Sequence, residues 1–381
     1  MSDFIHLHVA SGFSLRYGAA FPERIVERAL ELEMSAVALT DRDGLYGAVR
    51  FATACGNSGI APILGIDVPL AQSGLQIAAP MFGGAFADTR PQRITVLARG
   101  AVGMVGLNRL ASAHHADGIT HEVVARIVEI VSDAATGDEG LTVLLGPQSD
   151  VGHALTQRKY QQAAAILDRW RNTGADIVCE IVSHRARDAM AAASDGVLPL
   201  STMSAARMWQ FAHAQHVPTV LTNAARFVDA HQARVTDVLD ATRRLVPLSA
   251  KNVDRTNGEG YLKSGLQMYD IACEIAESAG FSAQEAVRLI ARTNEYGRRC
   301  IIDPQLDLGI GSIHVPELDV ILEPARRSVV SATWDRPAAP RRTAEVVSRE
   351  AAQADVVLRQ RCESAFAMRG FEHSPQAAAM R

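Results

Sequence analysis

Short apolar runs alternate with amphipathic stretches through the first two-thirds of the chain. Phe4-Ile5-His6-Leu7-His8 predicts a first strand and Ser35–Thr40 a second, whose end delivers Asp41. A third follows at Ala61–Val68, and others at Arg93–Ala98, Leu141–Leu145, Asp176–Ser183 and Pro218–Thr222. Between them, apolar residues at helical spacing predict helices over Pro22–Glu33, Tyr46–Cys55, Val102–Ala113, His121–Val131, Ala154–Arg171 and Met203–Gln215. This βα rhythm predicts a parallel α/β sheet or barrel.

From Gly260 the strand signal stops. Helices follow, then the extended stretch DPQLDLGIGSIHVPEL, a Pro- and Arg-rich run from Glu323 to Arg342, and a last helix over Ala344–Met368. The expected organisation is one domain at 1–265, a helical and extended connection at 266–322, a linker at 323–343 and a C-terminal helix with its tail at 344–381. No internal repeat is visible.

Composition narrows the classes. Hydrophobic residues make up 48% of the 381 positions and charged residues 21%, which is ordinary for a globular protein. The net charge of -4 argues against an autonomous grip on duplex nucleic acid, which draws its affinity from phosphate neutralisation. The five cysteines are scattered without a CxxC pair, so neither a disulfide framework nor a zinc ribbon is expected. The opening MSDFIHLHVASGF lacks the pattern of a signal peptide, and no apolar run reaches membrane-spanning length. A cytoplasmic protein without membrane contact is expected.

In parallel α/β folds the C-terminal ends of strands carry the chemistry. That rule places His8, Asp41, Asp67 and His184 on one rim, a set of types that suits a divalent metal. Each also has a structural reading, and Asp41 in particular could cap the helix after Thr40. His114 and His115 sit at a helix end, where a solvated cation is the default. No GxSxG, P-loop or dinucleotide-binding fingerprint is present.

Longer stretches carry a resemblance. HLHVASGFS, then PERIVERALELEMSAVALTDRDGLYGAVRFATACGNSGIAPILGIDV, resemble the opening of the PHP (polymerase and histidinol phosphatase) domain of bacterial DNA polymerase III alpha subunits, above all the error-prone alpha type. The likeness runs on through ITVLA, CEIVSHR and PTVLTNAARF into YLKSGLQM and LDLGIGSIHVPEL, where that family passes toward its polymerase palm. It implies a distorted (β/α)7 TIM-like barrel followed by a mainly helical extension.

The resemblance also implies a site. The family's metal-binding form has HxH on the first strand, where this chain has His8 and Ala10, and an Asp-His pair after the second, here Asp41 and Arg42. Its third-strand Glu corresponds to Asp67, its later histidine to His184, and its last Asp-x-His to Ala224 and Arg226. His8, Asp41, Asp67 and His184 are therefore expected to be a vestigial, vacant ligand set, with Arg42 and Arg226 as anion-binding or salt-bridging replacements for lost ligands. No catalytic residue and no cofactor is expected; Mn, Zn or Mg enters only if the residual set works.

The palm carboxylates of the family have no counterpart that the sequence identifies. The leading expectation is a non-catalytic structural or interaction domain in replication or damage-tolerant synthesis, with a polymerase module in cis or other replication and repair subunits as partners and DNA contacted only indirectly. The rival readings are a metal-dependent phosphoesterase or 3′-5′ exonuclease with a reduced ligand set, and an interaction protein docking through its helical tail.

Overall fold

The computed structural model describes residues 3–70, 92–117, 123–133, 140–186, 200–245, 247–249, 257–311, 356, 358–365 and 367–369. They fall into two units, Met1–Ile310 and Gly311–Arg381.

In the first unit six strands form one sheet in chain order: β1 (Ala36–Arg42), β2 (Ala61–Pro69), β3 (Arg93–Arg99), β4 (Gly140–Leu145), β5 (Asp176–Val182) and β6 (Thr219–Thr222). Among the described residues ten α-helices accompany them: α1 (Pro22–Glu31), α2 (Ala48–Ser58), α3 (Gly100–Asp117), α4 (Val123–Asp133), α5 (Asp150–Thr156), α6 (Tyr160–Arg171), α7 (Thr202–Ala214), α8 (Ala233–Arg244), α9 (Gly265–Ala279) and α10 (Ala283–Arg299). The local reasons are plain in the sequence. Pro22 opens α1, and Ile25, Val26 and Ala29 form its buried stripe. Ser264 and Gln267 make a reciprocal capping box on α9, which ends at Gly280 in the left-handed region.

Three expectations need correction. The sheet is not uniformly parallel, because β3 runs antiparallel to both β2 and β4. Phe4–His8 is extended but forms only isolated bridges, His6 to Val37 and the neighbouring Val9 to Ala225. The helix expected over Ala154–Arg171 is two helices, since Arg158 takes a positive φ of 58° between α5 and α6 while Ser149 caps α5 by accepting from Gly152 N–H.

The sheet curls, and the N-terminal segment touches both of its edges. Ala38 and Thr40 of β1 donate to the carbonyls of His6 and Val9 at 2.8 Å, and Ala225, just beyond β6, donates to His8 at 3.0 Å. Ile5, Leu7, Ala36, Ala38, Ile63, Leu97, Leu144, Val178 and Val220 point into the curl, closed at one end by Tyr296 and Cys300. The helices pack outside over a larger core. α10 is bolted to that closed end: Asn294 accepts from Ile5 N–H at 2.9 Å and Thr293 from Leu221 N–H at 2.8 Å. The open end carries the candidate residues.

In the second unit, residues 356, 358–365 and 367–368 are helical. The expected linker at 323–343, most of the stretch after Gly311 and the start of the last helix lie outside the described residues. Among the described residues no helix is long and apolar enough to cross a membrane.

Candidate functional site at the open end of the sheet

Register brings the first pair together. Arg42 ends β1 and is the direct cross-strand partner of Asp67 on β2. Arg93 begins β3, opposite Pro69, and so lies diagonally beside Asp67. Both guanidiniums converge on one carboxylate: Arg42 Nε donates to Asp67 Oδ2 at 2.9 Å and Arg93 Nε to Oδ1 at 2.8 Å. Arg93 also donates to the Asp67 carbonyl at 2.8 Å and to Asp43 at 2.6 Å. All three side chains are largely shielded, at 4% exposure for Asp67, 14% for Arg42 and 10% for Arg93. Burial alone would raise the Asp67 pKa, but the fields of Arg93 and Arg42 outweigh it and hold the carboxyl below its ordinary value.

Asp41 faces elsewhere. It accepts from Ser11 N–H at 2.6 Å, Ser11 Oγ at 2.8 Å and Ser14 Oγ at 2.7 Å, so the loop after the N-terminal segment wraps the carboxylate in neutral donors. Burial raises its pKa, against the opposing pull of those hydroxyls. The same loop inserts Tyr17, whose ring has the Arg42 guanidinium 3.3 Å from its centroid and that of Arg226 at 4.0 Å. Arg226 makes its ion pair with buried Asp240 of α8, at 3.1 and 2.7 Å.

His8 is held by a buried carboxylate. Its Nδ1 lies 2.7 Å from Glu180 Oε1 of β5, and Thr222 donates to the same oxygen at 2.5 Å. Burial pushes the His8 pKa down, yet Glu180 and then Asp67 more than reverse this, and it ends above the ordinary imidazole value. His184 donates its Nε2–H to the Asn223 carbonyl at 2.8 Å, and burial lowers its pKa to about 4.

The four strand-end residues thus share one end of the sheet, but each has its own set of partners. Among the described residues no three His, Cys, Asp or Glu side chains are arranged to hold a metal. Arg42 takes Asp67, whereas Arg226 takes Asp240 rather than Asp41 or Asp67. His115, expected as a solvated cation, contacts the Asp43 carbonyl at 2.5 Å and Tyr46 Oη at 3.1 Å.

Sequence reasoning missed Arg93, Glu180, Tyr17 and the serine pair. A charged residue inside the apolar run DIVCEIV was a usable signal for Glu180. Arg93 carried none under a rule that searches C-terminal strand ends, because β3 is reversed and presents its first residue at the open end.

A family model described as PHP domain matches residues 6–184. The error-prone DNA polymerase of Mycobacterium bovis is 30% identical over 314 residues, which is 80% of this chain and 25% of that protein. The DNA polymerase III subunit alpha of Vibrio cholerae is 29% identical over 308 residues, 78% of this chain and 24% of that protein. The chain therefore spans about a quarter of the length of these curated relatives. Among solved structures, an amidohydrolase from Chromobacterium violaceum with bound sulfate and no metal aligns at 15% identity and a TM-score of 0.34, over 58% of this chain and 87% of that one. With the motif order, the α/β sheet and the profile match in agreement, residues 6–184 are a PHP domain, and the chain is a homologue of proteins named error-prone DNA polymerase and DNA polymerase III subunit alpha.

Proposed function

We propose that this chain is the PHP-containing region of a polymerase III alpha-type protein in which ion pairs have replaced the metal site, and that it acts as a non-catalytic structural and interaction domain. One observation carries the reading: both oxygens of Asp67 are taken by the buried guanidiniums of Arg42 and Arg93. A cation at that carboxylate would displace two fixed positive charges that cannot be deprotonated.

The contacts of two other candidate ligands support the same reading. Both Asp41 oxygens accept from Ser11 and Ser14, and His184 Nε2 donates to the Asn223 carbonyl. His8, Asp41, Asp67 and His184 are on this reading relics of a ligand set, and Arg42 and Arg226 are structural cations. The N-terminal segment at 4–10 would serve as the seventh stave of the TIM-like barrel. The partners would be a polymerase module in cis or other replication and repair subunits in the cytoplasm, during replication or damage-tolerant synthesis, with DNA reached through them.

The test is metal analysis of the purified chain together with a titration of Mn²⁺ and Zn²⁺ against thermal stability. The expected result is metal well below stoichiometry and an unchanged melting temperature. Near-stoichiometric metal, with a rise in melting temperature that Asp67→Ala removes, overturns the reading and restores a metal-dependent phosphoesterase or exonuclease.

A further inference from the structure

Lys263 is one of three lysines in the chain, with Lys159 and Lys251, and its side chain is 1% exposed. An ammonium so deeply buried needs partners on every side. Lys263 Nζ donates to the Glu259 carbonyl and, at 3.4 Å, to Asn223 Oδ1 at the end of β6, and it lies 3.2 Å from the Glu259 carboxylate. The Tyr261 ring covers it, with its centroid 4.2 Å from Nζ. These contacts fasten the strap 257–264, which leads into α9. Asn223 grips the same strap through the carbonyls of Glu259 and Tyr261, at 2.8 and 2.7 Å. The strap in turn pairs with the chain beyond β6: Arg226 N–H donates to Gly260 O at 2.9 Å and Leu262 N–H to Phe227 O at 3.1 Å.

We propose that Lys263 is a proton-operated latch, which as an ammonium fastens the strap 257–264 to the end of β6 and as a neutral amine releases it. The geometry supplies an alternative partner for the released acid. The Glu259 carboxylate sits between Lys263 at 3.2 Å and Arg185 at 4.0 Å, so loss of the lysine proton leaves Arg185 as its only nearby cation among the described residues. Arg185 is already engaged with Glu274 of α9 at 2.8 and 2.6 Å, so the exchange would draw the strap toward α9.

The surrounding charges set the working range. Glu259 favours the ammonium, Arg185 opposes it, and burial opposes it most, which brings the Lys263 pKa down to about 8. His6, which bonds the Lys263 carbonyl at 2.9 Å, and His184 on the loop after β5 are both held neutral near pH 8 by pKa values of about 4. Tyr261 is raised above its usual value, by burial first and Glu259 second, and stays uncharged there too. The latch is therefore a Lys263–Glu259 device with Arg185 as its counterweight.

With only three lysines, NMR of the whole chain labelled at the lysine side chains reads the titration directly. One resonance is expected to titrate near pH 8, to vanish in Lys263→Met and to move to lower pH in Glu259→Gln, which removes the favouring charge. Amide-exchange protection of Leu262 and Arg226 is expected to fall by at least about tenfold between pH 7 and 9, after correction for base catalysis, in the wild type. A Lys263 resonance titrating near the usual ~10.4, or protection that is the same on both sides of pH 8, overturns the latch. Both readouts exist in the unmutated protein, so a Lys263→Met variant that fails to fold leaves the decision intact.

Discussion

Replacing Asp67 by Leu should be the most damaging isosteric change at the open end of the sheet. The carboxylate is 4% exposed and neutralises two guanidiniums that are themselves 14% and 10% exposed. Breaking a buried pair by removing one partner typically costs about 3–5 kcal/mol, because the remaining charge stays buried without compensation. The cost is not shared equally. Arg93 keeps Asp43 at 2.6 Å, whereas Arg42 is left with Gln148 Oε1 at 3.3 Å and the face of Tyr17. One stranded cation places the loss near the lower end, about 3 kcal/mol, or a fall of roughly 4–6 °C in melting temperature for a unit of this size. The assay is urea and thermal unfolding at pH 7, followed by tryptophan fluorescence from Trp170 and Trp209. A triple variant, Asp67→Leu with Arg42→Met and Arg93→Met, removes all three charges at similar volume and should recover most of the loss. The Asp43 side chain then loses Arg93, but it is 43% exposed and this costs little. The reasoning fails if the single variant lies within about 1 kcal/mol of the wild type, or if the triple variant is no more stable than the single.

Two further outcomes follow from neighbouring groups. A Cβ on Gly146 would stand 2.0 Å from Glu180 Oε2, so Gly146→Ala should push that carboxylate off His8, lowering the His8 pKa in an NMR titration and costing about 1–3 kcal/mol; an unmoved His8 pKa would contradict the assigned Glu180 contact. His153 and His184 are each held at a pKa of about 4 by burial, so between about pH 6.5 and 4 the unfolded chain binds protons that the folded one refuses, and stability should fall on acidification by at most about 1.4 kcal/mol per pH unit for each, with His153→Leu giving a flatter curve in denaturant midpoints measured across that range.

The positions of the strands were legible because each depends on local pattern. β1, β2, β4, β5 and β6 begin and end within a residue or two of where their apolar runs predict. What the pattern lacks is direction. A run such as Arg93–Arg99 reads the same whichever way it enters the sheet, and β3 enters reversed, with the consequence that its first residue rather than its last reaches the site. The N-terminal segment was misjudged for a related reason. Its residues have strand chemistry, but it meets β1 and the chain beyond β6 at single bridges, and ladder formation is a property of the partners rather than of the segment. Membership of the rim was readable residue by residue, whereas partnership was not. Arg42 finds Asp67 because parallel register sets them side by side, while Arg226 finds Asp240 on α8, fourteen positions further along the chain.

That difference explains how two arginines can enter one end of a sheet without leaving an unbalanced charge there. A buried guanidinium is tolerated only where a carboxylate or an aromatic face is already fixed in reach, since it cannot shed its proton. Arg42 meets this condition through register with Asp67, and Arg226 through Asp240, and both guanidiniums also lie over the Tyr17 ring. Asp41, the carboxylate that neither arginine reaches, is satisfied by Ser11 and Ser14 from the same loop that delivers Tyr17. The loop from Ser11 to Tyr17 therefore does two jobs: it satisfies an acid, and it offers two guanidiniums a shared aromatic face. Stability at this end should depend on that loop as strongly as on the ion pairs, and Tyr17→Ala, which removes the aromatic face from both guanidiniums, tests the dependence in the same unfolding assay as Asp67→Leu.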